Sequence, residues 1–228
     1  QMNGLAVTSA GPVIYGFPTR ITASIGPGNA GAVNIERESD LSGAVHTKGF
    51  LILSGLLRFL LRLKHPMAFS AGIAFEQTYG GIDGDSASGA EICCLISALT
   101  DLPIRQDLAM TGAVDQKGNI LPVGAVSEKI EGFFEACQTV GATGTQGVII
   151  PAANSREMML REDVLEAVGA GQFMIYAVSN IYQALGLLLD RAPGGALDLE
   201  YTQDTILAIA QHRAHEYWEI AKSHRSSD

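Results

Sequence analysis

Strand-like and helix-like apolar runs alternate along this 228-residue chain, and that alternation limits its fold more than any other feature. Residues 5–8, 13–15, 20–25 and 32–36 are short apolar or alternating runs cut by glycine and proline, the pattern of strands and turns. From about residue 45 to 63 the leucines and isoleucines recur at helical spacing. Arg58, Arg62 and Lys64 come near the end, where cations suit the helix dipole. A strand is expected at 67–75, then a glycine-rich turn at 79–84. A helix follows at about 86–99, for which Asp85 and Ser86 are both good caps. Residues 108–114 and 120–123 predict a strand pair joined by a hairpin turn at 115–119. The clearest helix runs over 126–140. Val126, Ile130, Phe133, Phe134, Cys137 and Val140 fall on one stripe, with Glu128, Glu131 and Glu135 opposite. A strand at 147–150, a helix near 162–170, a strand at 173–178 and a helix at 181–189 continue the series. The fold class is therefore α/β (α+β), a β-rich N-terminal part followed by alternating strands and helices. Residues 1–190 are read as one domain. Residues 191–228 are read as a C-terminal hinge (191–196) and helical extension, with an amphipathic helix over about 201–222.

Several function classes drop out on charge and motif. With 15 Lys and Arg against 24 Asp and Glu the net charge is −9, which argues against nucleic acid as a partner. Only 17% of residues are charged, against roughly 25% in an ordinary soluble domain, so part of the surface is expected to be covered by copies of the chain or a partner. Cys93, Cys94 and Cys137 form neither a disulfide framework nor a metal-binding pair, and as reduced thiols they suit the cytoplasm. The longest apolar stretch, 50–63, is interrupted by Arg58 and Arg62 and falls short of the roughly 20 residues that span a bilayer. No membrane partner is expected. The chain opens on Gln1, which fits a piece or processed product of something longer. The run from Gly43 through Lys48 to Gly49 fails the spacing of a phosphate-binding loop, so ATP hydrolysis by this chain is not expected. His212 and His215 stand beside Glu216 without the H-E-x-x-H pattern, and they read as a solvated helix face with no metal.

Chemistry concentrates at residues 83–88. Ser86 follows a glycine-bearing turn and opens a helix, where free N–H groups point at developing negative charge. No histidine sits in a motif that could partner it as in a Ser-His-Asp triad. Lys129 is the other candidate. On a helical wheel it falls at roughly 300°, flanking an apolar face that covers roughly 320° through 80°. Burial there could lower its pKa from about 10.4 toward the range of a general base. Taken alone, each residue has an ordinary alternative: Ser86 as a simple cap, Lys129 as a lysine whose stem covers core edge.

Together they resemble the proteolytic domain of the Lon protease family, over roughly residues 4–189. Gly84-Asp85-Ser86-Ala87-Ser88 resembles the nucleophile motif of the Lon-B branch, and the 43 residues from Ser86 to Lys129 equal the family spacing. Thr111-Gly112-Ala113, and then residues 118–129, resemble the block carrying the lysine. Residues 46–49 and 75–77 resemble those of Lon-related bacterial proteins. The resemblance implies a Lon proteolytic fold and a Ser–Lys dyad of Ser86 and Lys129. It also implies Thr111 orienting the amine, with Asp83 and Asp85 shaping the site. Unfolded polypeptide would be the substrate and a hexameric ring the assembly. No metal or organic cofactor is implied in this chain, ATP being used by an ATPase domain that lies outside it. The sequence departs from the commoner bacterial form at Asp85, Ala113, Ala125 and Ser88, which sets it outside the best-known subfamily. Two rival readings are a catalytically silent oligomerisation scaffold and a Ser–Lys hydrolase of small amides or esters.

Overall fold

A computed structural model of the chain describes residues 1–195 and 200–225, the side chains of the last two excepted. Residue 196, where the expected hinge ends, and residues 197–199 and 226–228 of the extension lie outside the described residues.

The N-terminal β-rich part is a long hairpin, β1 (Met2–Ala10) and β2 (Val13–Pro27), followed by β3 (Gly31–Asn34) and a four-residue helix α1 (Ile35–Glu38). After helix α2 (Ala44–Leu61) come β4 (Phe69–Phe75), α3 (Ser88–Thr100), β5 (Leu108–Met110) and a small ribbon of β6 (Ala113–Val114) and β7 (Ile120–Leu121). The rest alternates: α4 (Val126–Val140), β8 (Gly147–Pro151), α5 (Glu162–Gly169), β9 (Met174–Val178), α6 (Ile181–Leu189) and α7 (Ile206–Arg225). Seven strands form one mixed sheet in the order β3-β4-β2-β1-β5-β8-β9. β2 pairs antiparallel with β1 and β4, and every other pair in that sheet is parallel. This is the expected mixed α/β class with a β-rich start.

Three local readings are corrected. The runs at 13–15 and 20–25 are one strand, because Pro18 sits where β2 pairs only with β1, a setting that tolerates a residue without an N–H. The expected strand at 32–36 ends at Asn34, whose side chain caps α1 by accepting from the Arg37 N–H. The terminal helix begins at Ile206 instead of 201.

Alternate residues of the sheet face two cores. Leu108, Met110 and Ile149 point to one, covered by α2, α3, α6 and α7, while Ala109, Val148 and Ile150 point to the other, under α4 and α5. Among the described residues α2 alone is long and apolar enough to cross a membrane by length and composition. Here Leu53, Leu56, Leu57, Leu60 and Leu61 are buried in the first core. The C-terminal helix joins that same core through Ile206, Leu207, Ala210 and Ala214.

α4 lies on the protruding part of β2 with no side chain between the two backbones. A Cβ added to Gly132 would overlap the Gly16 carbonyl, and one added to Gly16 would overlap the Glu128 carbonyl and the Lys129 Cα. This contact reverses an ordinary expectation. In an exposed helix interior, Gly→Ala stabilises by about 1 kcal/mol. Here Gly132→Ala should instead destabilise by about 1–3 kcal/mol, through backbone overpacking. A thermal melt of the variant should show a Tm several degrees lower, and a raised Tm would refute the contact.

Candidate active site

Ser86 stands in a turn, not in a helix. α3 starts at Ser88, and its N-cap is Ala87, which has no side-chain cap bond. Neither Asp85 nor Ser86 caps the helix as expected. The Ser88 hydroxyl takes over locally, donating to the Asp85 carbonyl at 2.8 Å and accepting from the Val114 N–H at 3.1 Å. The hydroxyl of Ser86 is thereby left for other work.

The turn is held from beneath. The Gly112 N–H donates to the Ser86 carbonyl at 2.7 Å, and the Gly89 N–H donates to the Gly112 carbonyl at 2.9 Å. A Cβ at Gly89 would collide with the Met110 methyl and the Gly112 carbonyl, so this approach requires glycine. It also divides the strand expected at 108–114. The Thr111 N–H still donates to the Ile149 carbonyl of β8, and the chain leaves the sheet at Gly112 to bond the serine turn before resuming as β6.

Lys129 arrives from the first turn of α4. Its Nζ lies 3.0 Å from Ser86 Oγ and donates to Thr111 Oγ1 at 3.2 Å, and the Thr111 hydroxyl in turn donates to the Ser86 carbonyl at 3.2 Å. Thr111 is fully buried and Lys129 is 3% exposed, so the amine is inside the protein and not at its edge. Burial lowers its pKa to about 8, opposed in part by the charge of Asp85. Ala125, which precedes the helix, adopts φ 55°, a left-handed conformation that glycine takes more readily.

The two aspartates have different places. Asp83 accepts from the N–H groups of Gly84 at 2.9 Å, Val45 at 3.1 Å and His46 at 3.2 Å. It therefore caps α2, whose own N-cap residue, Gly43, has no side chain to do so. These bonds, that from Gly84 first, hold its carboxyl below the usual carboxylate range. Asp85 acts on Lys129 through its charge, and among the described residues its side chain makes no hydrogen bond to the amine. A cavity of about 190 Å³ opens beside the pair, lined by Leu5, Val7, Phe17, Phe75, Ser86 and Lys129 among others.

Sequence reasoning missed a buried polar cluster behind this turn: Asn34, Glu36, His46 and Glu91, each no more than 4% exposed. Glu36 accepts from the Phe75 N–H at 2.7 Å, while Glu36 Oε2 and Glu91 Oε1 have no hydrogen-bond partner. Burial, and after it the Glu36 charge, raises the Glu91 pKa to about 8. The available signal was Glu91 itself, an acid inside an otherwise apolar helix. At the other end of the chain His212 faces Glu216 at 3.4 Å and His215 faces Glu219 at 3.7 Å, all largely exposed.

The family model described as the Lon protease (S16) C-terminal proteolytic domain matches residues 78–191, the segment that carries Ser86, Thr111 and Lys129. A protein of Haemophilus influenzae named "Putative Lon protease homolog" is 47% identical over 193 residues, covering 84% of this chain and 32% of that one. One of the same name from Escherichia coli is 44% identical over 215 residues, covering 93% and 36%. An archaeal Lon protease of Thermococcus kodakarensis is 41% identical over 121 residues, covering 53% and 17%. The chain thus spans about a third of the length of the two bacterial relatives.

The buried acid yields a stability test. A carboxyl whose pKa is 4.5 unfolded and about 8 folded binds more protons in the native state between those values. Its contribution is therefore complete at low pH and is lost as pH rises toward about 8. Glu91→Gln removes that titration. Its Tm relative to the wild type should climb steadily from pH 5 to 8, and a constant difference would refute the assignment.

Proposed function

This chain belongs to the Lon protease family, and on that premise we propose that it is a serine endopeptidase with a Ser–Lys dyad. Ser86 is its nucleophile, Lys129 its general base, and unfolded or misfolded polypeptide its substrate. The observation that carries this reading is the buried Lys129 amine 3.0 Å from the Ser86 hydroxyl, with a pKa lowered to about 8.

The local bonds support a division of labour. Thr111 spends its hydroxyl proton on the Ser86 carbonyl, so its oxygen accepts from the lysine. In the neutral amine this leaves the lone pair to face Ser86. Lys129 takes the hydroxyl proton as Oγ attacks a peptide carbonyl carbon. The resulting ammonium returns that proton to the leaving amine as the C–N bond breaks. Water then adds to the acyl-enzyme, giving its proton to Lys129, and collapse restores the serine hydroxyl. Among the described residues the N–H groups of Asp85, Ser86 and Ala87 donate to no other backbone group, and those of Ser86 and Ala87, at and just after the nucleophile, would serve the developing oxyanion. These steps balance with no metal or organic cofactor.

An extended substrate fits the surroundings. Beyond Asn3 and Gly4, β1 has no strand partner on its β5 side among the described residues, and Leu5, Ala6 and Val7 line the cavity beside Ser86. A small-amide hydrolase would have no use for that open edge. A silent scaffold would need neither a buried amine nor its bond to a serine. The wider assembly follows the family resemblance: a cytoplasmic hexameric ring, driven by an ATPase domain in a longer parent protein.

Three results test the proposal, with cleavage of an unfolded protein read by mass spectrometry. Ser86→Ala and Lys129→Ala should each abolish cutting without unfolding the chain. Thr111→Val, which removes the hydroxyl's bonds to the amine and to the Ser86 carbonyl, about 1–2 kcal/mol together, should lower kcat about 5- to 30-fold with little change in KM. The wild-type rate should rise with pH and level off above about 8, as the amine becomes neutral. Cutting by Ser86→Ala at the wild-type rate would end the dyad reading.

A further inference from the structure

The buried cluster behind the serine turn has a hydrogen-bond pattern that fixes one tautomer of His46. Asn34 Oδ1 accepts from the Arg37 N–H at 2.8 Å, which sets the amide orientation and turns its Nδ2 toward His46 Nε2 at 3.2 Å. An amide nitrogen only donates, so Nε2 must accept and carries no proton. The ring proton is then on Nδ1, which donates to the Gly84 carbonyl at 3.3 Å. Gly84 sits at φ 98°, a conformation with little intrinsic preference to hold it, two residues before Ser86. Both sides of this glycine are tied to the start of α2: its N–H to Asp83, which caps that helix, and its carbonyl to His46 within it.

We propose that His46, as the neutral Nδ1–H tautomer, is a positioning residue that clamps the Gly84 carbonyl and thereby aims Ser86 at Lys129. The groups around it define what happens on protonation. Asn34 and Glu36 face it from the α1 segment, Asp83 from the serine loop, and the Phe75 ring edge-on from β4 at 5.6 Å. Glu91 faces it from α3, with Oε1 3.9 Å from Nε2. A proton added at Nε2 would set donor against donor at Asn34. The ring must then turn to Glu91, the one of these neighbours with an unbonded oxygen facing Nε2, and Gly84 loses its donor. Acid thus disarms the site twice, once at Lys129 and once at His46.

This role rests on the Ser–Lys reading, so the test separates the two. Imidazole ¹⁵N spectra of the full chain near pH 7 should show His46 neutral and protonated at Nδ1. An Nε2–H tautomer or an imidazolium would overturn the clamp whatever the activity. The second arm measures the rate at which a fluorophosphonate labels Ser86, from pH 5.5 to 9. His46→Asn keeps a donor near the Nδ1 position, and His46→Gln places its amide near Nε2. At matched Tm the Gln variant should label about tenfold more slowly than wild type, and the Asn variant within about threefold of it. Burial holds the His46 pKa below its usual 6.5, so both profiles should fall tenfold per pH unit below about 8, and only at the acid end should the wild type steepen beyond the Asn variant. Wild-type labelling by His46→Gln, or the same acid-end steepening in His46→Asn, would refute the positioning role. A wild type that carries the Nδ1–H tautomer yet never labels would instead refute the dyad.

Discussion

The approach of α4 to β2 sets the height of everything at the site. Gly16 and Gly132 meet backbone to backbone, so the helix lies lower over the hairpin than side chains would allow. Lys129 is on the turn that makes this approach, with its Cα near Gly16. From there its amine reaches inward to Ser86 and Thr111 instead of outward to water. An amine in such a place must be paired with an anion or lose its charge. Its two hydrogen-bond partners are hydroxyls, and burial brings its pKa down to about 8, so that the neutral form comes within reach.

Much of this was legible before any coordinates. The stripe from Val126 to Val140 marked out α4, although Val140 itself is exposed, and the serine and lysine motifs at their 43-residue spacing pointed to the two groups that meet. The wheel placed Lys129 at the border of the apolar face, and only the neighbouring hairpin decides that the border is inside. A wheel contains one helix and cannot register a glycine more than a hundred residues earlier. The capping roles given to Asp85 and Ser86 failed for a related reason. Cap preferences describe an isolated helix start, whereas this turn is set by Gly112 and Gly89 from outside it. The strand over 108–114 reads as continuous because the same bonds that divide it are invisible to local patterning.

The acidic residues show a second limit of pattern. Asp83 belongs to the serine loop in sequence, yet its carboxylate terminates a helix 38 residues upstream. Glu36, His46 and Glu91 come from three separate segments and share one buried volume behind that loop. Each is unremarkable in its own window. Their meaning lies in who faces whom: an amide that can only donate, a ring that must accept, and a carbonyl that receives the remaining proton.

The origin of the lowered lysine pKa has one more consequence. Some lysine bases are tuned by a neighbouring positive charge, whose influence dissolved salt weakens over about 10 Å at 0.1 M ionic strength. Lys129 is tuned chiefly by exclusion from water. Burial is not an effect that dissolved ions screen, so what salt alters at this amine is chiefly the opposing charge of Asp85. Screening that carboxylate eases the amine further toward its neutral form, the opposite of what salt does to a lysine tuned by a neighbouring cation.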